Sequence, residues 1–183
     1  MAGPVLFTGS WLLLGLSHDG YSQVRGSISV LAGYGAPYAW VLTVAFLVQA
    51  AAMASAGWLL RRTAGSAAGL LAVNAVATIV VATARIGCNG GDADWCTPSA
   101  HPLSEGVHTV AATTALATLS LAPLAFGLRR DRKHSPVALA CFAVMAPLLV
   151  AFGVLAGTGW AEKAVVTIGI FWAALTASRY AGA

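Results

Sequence analysis

Helix-length apolar runs separated by short polar stretches dominate this chain and restrict it to a membrane-spanning fold. Hydrophobic residues make up 58% of the sequence, charged residues only 9%, and the mean hydropathy is +0.80. A soluble domain carries about 25% charged residues. The runs lack the two-residue alternation of barrel strands, whereas a helical bundle satisfies every backbone polar group inside a bilayer. The sequence therefore predicts an all-α polytopic transmembrane bundle that forms a single integral membrane domain.

Six of these runs are candidate spanning helices, because a span needs about 20 mainly apolar residues. The first run is short for a full crossing, at about 15 residues or roughly 22 Å of helix. It also lacks the basic start of a secretory signal, since no Lys or Arg precedes Arg25, and we interpret it as a retained helix. The predicted spans are 2–16, 38–60, 65–84, 105–128, 136–158 and 164–180.

The basic residues fall mainly on one side of the predicted spans, and cytoplasmic loops are enriched in Lys and Arg. We therefore expect a protein of the cell membrane with both termini in the cytoplasm and segments 17–37, 85–104 and 159–163 outside. The short basic clusters do not form a nucleic-acid-binding face, so membrane lipids are the expected partners. A protein partner or a second copy of the chain stays open. Seven of the ten basic residues define the cytoplasmic side: Arg61, Arg62, Arg129, Arg130, Arg132, Lys133 and Arg179.

Two cysteines bracket the loop CNGGDADWC on the predicted external side. An external compartment is oxidising, so Cys88 and Cys96 are expected to form a disulfide that rigidifies the entry to the fourth span. The alternative is a metal site formed with Asp92, Asp94 or His101, although no C-x-x-C spacing supports zinc. Cys141, inside the fifth predicted span, is interpreted as a small packing residue.

The segment HDGYSQVRGSISVLAGYGAPYAW, between the first two spans, is too polar to cross a bilayer. Val24, Ile28 and Leu31 recur at the spacing of one helical face, which predicts a short helix lying in the membrane interface. Gly33 and Pro37 are expected to end it. The alternative is a plug or lid that covers the external end of the bundle.

Several blocks of this chain together resemble a known family. The runs GYS at 20–22, ISVL at 28–31 and GAPYAW at 35–40 are similar to the first-loop signature of the DUF998 family, bacterial and archaeal multi-pass membrane proteins of unknown function. Ser104 and His108 after the Cys- and Asp-rich loop, and Glu162 and Lys163 before the helix containing Trp172, resemble later blocks of that family. The resemblance covers most of the chain and implies six helices. It implies no activity and no cofactor.

Arg85 stands at the external end of the third span, on one helical stripe with Asn74, Thr78 and Val81. A guanidinium near hydrocarbon needs a partner. Arg85 is therefore interpreted either as a brace, paired with a carboxylate or with lipid phosphate, or as an anchor for an anionic lipid or substrate. Arg25, in the polar segment before the second span, is a second candidate for binding an anion.

The start of the fourth span, HPLSEGVHT, places Glu105 and His108 three residues apart on one face. A histidine beside a carboxylate suits general acid/base catalysis, so His108, Glu105, His101 and Asp19 are the candidate catalytic residues. His101, His108 and Glu105 are also suitable ligands for a mononuclear metal, although we assign none. The remaining interpretation is that these histidines are structural and hydrogen-bonded. A dinuclear site is disfavoured because the Glu-x-x-His motif occurs once.

Gln49 and Asn74 lie near the middle of their spans, where they either hydrogen-bond across helices or line a path together with Thr78. Two main functional hypotheses follow. The first is an external site that binds or modifies a lipid or another amphipathic anionic substrate. The second is a non-catalytic transporter or channel subunit, or an accessory protein that docks a partner. The sequence leaves open whether the protein is an enzyme.

Overall fold

The computed structural model describes residues 2–87, 95, 97, 101–129, 135–155 and 157–180. Within these ranges the chain forms six α-helices, one 3₁₀ helix and no strand, which confirms the predicted all-α class. The α-helices are α1 (Ala2–Ser17), α2 (Ala39–Leu60), α3 (Gly65–Thr83), α4 (Pro102–Gly127), α5 (Ser135–Val154) and α6 (Gly159–Tyr180), and the 3₁₀ helix is Ile28–Ala32.

The helices have the lengths that a membrane bundle needs. Within the described ranges, α2 to α6 are each long and apolar enough to cross a bilayer. α1 has 16 residues, which agrees with the short first helix expected from the sequence. Because successive α-helices pack against one another along the chain, the arrangement is a polytopic helical bundle.

Two helices begin earlier than the predicted spans. α4 begins at Pro102 instead of residue 105, because proline lacks only an N–H that has no partner in the first turn of a helix. α6 begins at Gly159 instead of residue 164, after a turn in which Gly157 has a φ of +72°. Glu162 and Lys163 therefore lie at the start of α6, so segment 159–163 is the first part of a helix and the predicted sixth span begins too late.

Close packing of small residues joins α2 to its neighbour α3. A Cβ atom on Gly57 of α2 would lie 2.9 Å from the carbonyl oxygen of Ala68 in α3, so only glycine fits this approach. Ala50 and Ala56 of α2 are also buried. Small residues allow helix backbones to approach closely when the surrounding solvent is lipid. Gly57 and the buried alanines therefore allow α2 and α3 to pack closely along their length.

The segment between α1 and α2 does not form the predicted interfacial helix. Its only helical part is the 3₁₀ helix Ile28–Ala32, and all five of its residues are buried, whereas an interfacial helix would expose one face. Val24, expected on the apolar face, is 59% exposed and precedes the 3₁₀ helix. The segment packs against α1, α2 and α6, so the alternative of a plug in the end of the bundle fits the structure.

The two ends of the bundle differ in composition, and we name them accordingly. The capped end contains segment 18–38, the C-terminal end of α3 and the N-terminal ends of α4 and α6. The basic end contains the start of α1, the α2–α3 connection and the end of α6, with Arg61, Arg62, Arg129 and Arg179. The ionisable residues predicted to carry chemistry belong to the capped end.

Candidate functional site

The first turn of α6 places two charged side chains inside the bundle. Glu162 is 7% exposed and Lys163 is 5% exposed. The Oε2 atom of Glu162 accepts a hydrogen bond of 2.9 Å from the backbone N–H of Ile28, at the start of the 3₁₀ helix. A carboxylate is also stabilised near a helix N-terminus, where the backbone N–H groups carry partial positive charge. Glu162 thereby ties α6 to the plug segment.

Lys163 forms the second connection between α6 and segment 18–38. Its Nζ atom donates hydrogen bonds to the carbonyl oxygens of Gln23, at 3.1 Å, and of Gly26. The same nitrogen lies 5.2 Å from the ring centroid of Tyr21 and 5.8 Å from that of Trp11, within the range of cation–π attraction. These contacts replace part of the hydration that the ammonium group loses on burial.

The backbones of the two segments also touch directly. The backbone N–H of Trp160 donates a hydrogen bond of 2.9 Å to the carbonyl oxygen of Val24. A Cβ atom on Gly159 would lie 2.1 Å from the carbonyl oxygen of Gly26, which no side chain can tolerate. Segment 18–38 is therefore fixed to the start of α6 through both main chain and side chains.

A cavity of about 50 Å³ lies beneath this contact, between α2, α3, α4 and α6. Ser29 and Glu162 line it at the capped end, and Leu119 and Ile170 line it deeper in the bundle. A site of this size has room for a few water molecules. The remaining polar side chains of its lining lie on α2 and α3: Gln49, Asn74 and Thr78.

Gln49 is the unusual residue of this cavity. Its side chain is 3% exposed, and neither its Nε2 nor its Oε1 atom has a hydrogen-bond partner. Asn74, by contrast, donates a hydrogen bond of 2.8 Å from Nδ2 to the carbonyl oxygen of Ala115, and so bridges α3 and α4 as expected. Each buried polar group without a partner costs about 1 to 3 kcal/mol. The Gln49 amide is therefore available to a bound molecule.

The lining of the cavity shows whether the residues predicted to share one face of α3 do so. Asn74, Thr78 and Val81 all line it, so the predicted face is correct. Arg85, the last residue of that stripe, lies beyond the end of α3. Its Nε atom donates a hydrogen bond of 3.1 Å to the carbonyl oxygen of Ala32, and its guanidinium carbon lies 5.7 Å from the ring centroid of Tyr34. Arg85 thus holds the end of the 3₁₀ helix.

The other predicted residues of α4 contact backbone near the end of α3. The Nδ1 atom of His108 donates to the carbonyl oxygen of Ala84 at 2.5 Å, and the Oε1 atom of Glu105 accepts from the N–H of Gly87 at 3.1 Å. His108 is 5% exposed. Their polar groups are engaged in joining α3 to α4, as in the structural interpretation of these residues.

The remaining predicted residues are spread over the capped end. His18 contacts the carbonyl oxygen of Pro37 through Nε2 at 2.8 Å, whereas the side chains of Asp19, Arg25 and His101 are exposed. The ring of His101 lies 5.5 Å from that of Tyr34. Among the residues that the structure describes, no three His, Cys, Asp or Glu side chains are grouped as metal ligands, so His101, His108 and Glu105 do not form such a group.

The predicted disulfide partners Cys88 and Cys96 lie outside the described residues, as do Asp92 and Asp94. Cys141, in α5, is a free cysteine that is partly buried, in line with a packing role.

Sequence reasoning missed Glu162, Lys163 and Ser29 as lining or anchoring residues. One signal was present, because Glu162 and Lys163 closely follow Gly159 and precede an apolar run. An acidic residue three positions into an apolar helix is typical of a first helical turn. The hydrogen-bond partners of the pair, however, lie more than 130 positions away in the sequence.

The fold and the comparisons agree on the class of protein. The described residues form a helical bundle with five helices long and apolar enough to cross a bilayer, which is the architecture of a membrane protein. The chain belongs to the DUF998 family, described as a protein of unknown function, whose sequence pattern matches residues 1–179. No curated protein and no solved structure matches the chain significantly.

Proposed function

We propose that this membrane protein binds a small polar solute in the cavity beneath segment 18–38 and serves as a non-catalytic carrier or channel subunit. The observation that carries the proposal is Gln49, a buried amide that has no hydrogen-bond partner and lines the cavity. A polar ligand or its water would satisfy the amide and remove the cost of leaving it unpaired. Polar side chains inside a membrane bundle are typical of substrate or ion pathways.

The proposed solute reaches the cavity from the capped end. Ser29 and Glu162, which belong to that end, line the cavity. One helical turn further toward the basic end from Gln49 and Asn74, Met53 and Leu71 are completely buried and apolar. Passage of a solute would therefore require these side chains to move. The geometry supports a binding site that segment 18–38 covers at the capped end and that Met53 and Leu71 separate from the basic end.

We further propose that the capped end faces the outside of the cell and that both termini are cytoplasmic. The support is the positive charge of the basic end, because cytoplasmic loops are enriched in Lys and Arg. A membrane-impermeant maleimide tests it on intact cells, in a chain whose native cysteines are replaced by serine. Cysteine at the position of Val24 should be labelled, and cysteine at the position of Arg62 should not. The reverse pattern would overturn the orientation.

Calorimetric titration of the purified protein in lipid nanodiscs tests solute binding. The probes are sodium, methylammonium, acetamide and formate, which are small and differ in charge. We expect saturable binding of at least one probe and a loss of at least tenfold in affinity on Gln49→Leu. Ser55→Ala is the matched control, because Ser55 is exposed on the same helix and bonds only to its own backbone. Binding of no probe, or equal binding by Gln49→Leu, would contradict the proposal.

An anionic amphiphile bound at the capped end is a second candidate. The observation that favours it is an apolar groove of about 880 Å³ between α3 and α4, which extends from Val73 to Leu103. An acyl chain in this groove would bring its headgroup to the N-terminus of α4, beside the exposed His101. In this candidate Arg85 supplies positive charge near the headgroup, and Glu105 and His108 hold the junction of α3 and α4 beside it.

Native mass spectrometry with anionic and zwitterionic lipids tests the second candidate. Val110→Trp fills the groove, and Val150→Trp places the same side chain on the exposed surface of α5. The second candidate is supported if the native chain and Val150→Trp preferentially retain anionic lipid and Val110→Trp does not. Equal retention by all three proteins would exclude it.

A further inference from the structure

The lining of the internal cavity has an excess of oxygen acceptors. Glu162 contributes a carboxylate whose Oε2 atom bonds to the N–H of Ile28, which leaves Oε1 for another partner. Asn74 uses its amide nitrogen on the carbonyl oxygen of Ala115, so its oxygen is the free end of the amide. Thr78 and Ser29 add two hydroxyl groups, and Gln49 adds an amide oxygen without a partner.

Among the residues that the structure describes, the cavity lining contains no basic side chain, although Lys163 attracts the carboxylate of Glu162 from the side of the plug segment. Lys163 follows Glu162 directly, but its ammonium group donates to the carbonyl oxygens of Gln23 and Gly26, on the side of the plug segment. Adjacent residues of a helix do not face each other. Lys163 is absent from the cavity lining, whereas Glu162 is part of it.

Burying a carboxylate is costly, and the donors of Lys163 are directed at backbone carbonyl groups, so the Glu162 carboxylate is only partly compensated. The chemistry of the lining therefore indicates the class of ligand that would stabilise it. A divalent cation usually takes several carboxylates in an all-protein site, whereas this lining offers one carboxylate and four neutral oxygen-bearing side chains. One negative charge among neutral oxygens suits a ligand of charge +1.

We propose that the internal cavity lined by Glu162, Gln49, Asn74, Thr78 and Ser29 binds one small monovalent cation. This inference rests on the proposed function and specifies its solute. The ligand is either an alkali metal ion or a small primary ammonium ion, since both are satisfied by oxygen acceptors. The apolar residues Met53 and Leu71, below the cavity, keep the cation on the side of the capped end.

The test uses the full chain in nanodiscs. N-methyl-D-glucamine chloride keeps the ionic strength of the buffer constant, because its organic cation is too large for a 50 Å³ cavity. Sodium, potassium and methylammonium each replace this cation in a titration followed by the thermal unfolding midpoint and by calorimetry. We expect a saturable rise of the midpoint with at least one of the three, and the response to each ion distinguishes the metal from the ammonium source. A ligand that binds only the folded state raises its stability with concentration.

Two variants locate the cation. Glu162→Gln retains an acceptor for the N–H of Ile28 but removes the charge, and we expect at least a tenfold loss of affinity. Thr78→Val removes one hydroxyl oxygen at nearly constant volume, with an expected loss of a few fold. Thr83→Val is the matched control, because Thr83 is exposed on the same helix and bonds to its own backbone, and it should leave the affinity unchanged.

The native chain alone can overturn the inference, so the result does not depend on the folding of Glu162→Gln. If none of the three cations gives a saturable response, the cation site is excluded. If acetamide nevertheless binds in a manner that depends on Gln49, the proposed solute site stands and only its cation specificity fails. If neither acetamide nor any cation binds, both proposals fail. The cation would lie elsewhere if Thr78→Val and a folded Glu162→Gln both bind it with the affinity of the native chain. That result would also overturn the inference.

Discussion

α5 and α6 are neighbours of similar length, yet their surroundings are opposite. The most apolar 18-residue stretch of α5 has a mean hydropathy of 2.5, and 11% of this stretch is buried. The corresponding stretch of α6 has a mean hydropathy of 1.2, and 56% of it is buried. In a bilayer the lipid chains are as apolar as leucine, so apolar surface gains nothing from burial against protein. The more polar helix therefore lies inside the bundle, and the most apolar helix lies at its edge.

Replacing a buried charged residue of α6 should have the largest effect on stability. Lys163→Met should destabilise the fold by about 3 to 5 kcal/mol, because it leaves Glu162 buried without a nearby positive charge and removes the donor for two carbonyl groups. Unfolding in a mixed-detergent titration measures the loss. A shift below about 1 kcal/mol would mean that water hydrates the pair and that α6 is not buried as described.

Adding one methyl group to a glycine of α6 and to a glycine of α5 compares the packing around the two helices. Gly159→Ala in α6 should cost about 1 to 3 kcal/mol, because its Cβ would overlap the carbonyl group of Gly26. Gly153→Ala in α5 has nothing within 4 Å of its Cβ and should be neutral or stabilising, since alanine favours the helix. Thermal unfolding of both variants side by side measures the difference. Equal effects would contradict the direct contact between α6 and segment 18–38.

Two valines provide a smaller test. Val165 in α6 is completely buried, and Val144 in α5 is 49% exposed. Val165→Ala should cost about 1 to 2 kcal/mol through the cavity that it leaves. Val144→Ala should change stability by less than about 0.5 kcal/mol, because lipid fills the vacated space. Detergent unfolding of the two variants is the measurement, and a larger loss at Val144 would show that α5 is covered by a protein partner.

The smallest expected effect has the opposite sign. Gln49→Leu should leave the stability of the ligand-free protein unchanged or raise it by up to about 1 kcal/mol, because it replaces an amide without partners by an apolar group of similar size. The thermal unfolding midpoint without added solute measures it. A clear loss of stability would indicate that the amide is already hydrogen-bonded in the empty protein, through water.

The number and the approximate positions of the helices could be predicted from the sequence, since the length of an apolar run reports directly on a spanning helix. The stripe of Asn74, Thr78 and Val81 was also predicted correctly, because positions three and four apart in a helix share a face. The helix expected over Val24, Ile28 and Leu31 was wrong. The 3₁₀ helix Ile28–Ala32 is buried on all sides, whereas Val24 is exposed, and a periodic apolar pattern does not reveal which neighbours surround a segment.

The candidate site was predicted less well than the fold. Arg85, Glu105 and His108 were selected for their ionisable groups, but those groups bond to backbone at the junction of α3 and α4. Gln49 was interpreted either as a contact between helices or as part of a polar path, and the sequence could not show that it lines a cavity without a hydrogen-bond partner. Glu162 was placed at the external face and given no role in a site. Whether a polar group is engaged depends on residues far away in the sequence, and no local pattern contains that information.

The amino-acid sequence by itself determined that this protein is a helical bundle in a membrane, with most basic residues toward one end and most acids and histidines toward the other, because solvent preference and helical periodicity are local properties of the chain. Only the tertiary structure decided that segment 18–38 enters the bundle, that Glu162 and Lys163 are buried beneath it, and that Gln49 faces a cavity. Those outcomes depend on which helices meet. The contact that closes the cavity joins Ile28 to Glu162, two positions that become neighbours only when the whole bundle has assembled.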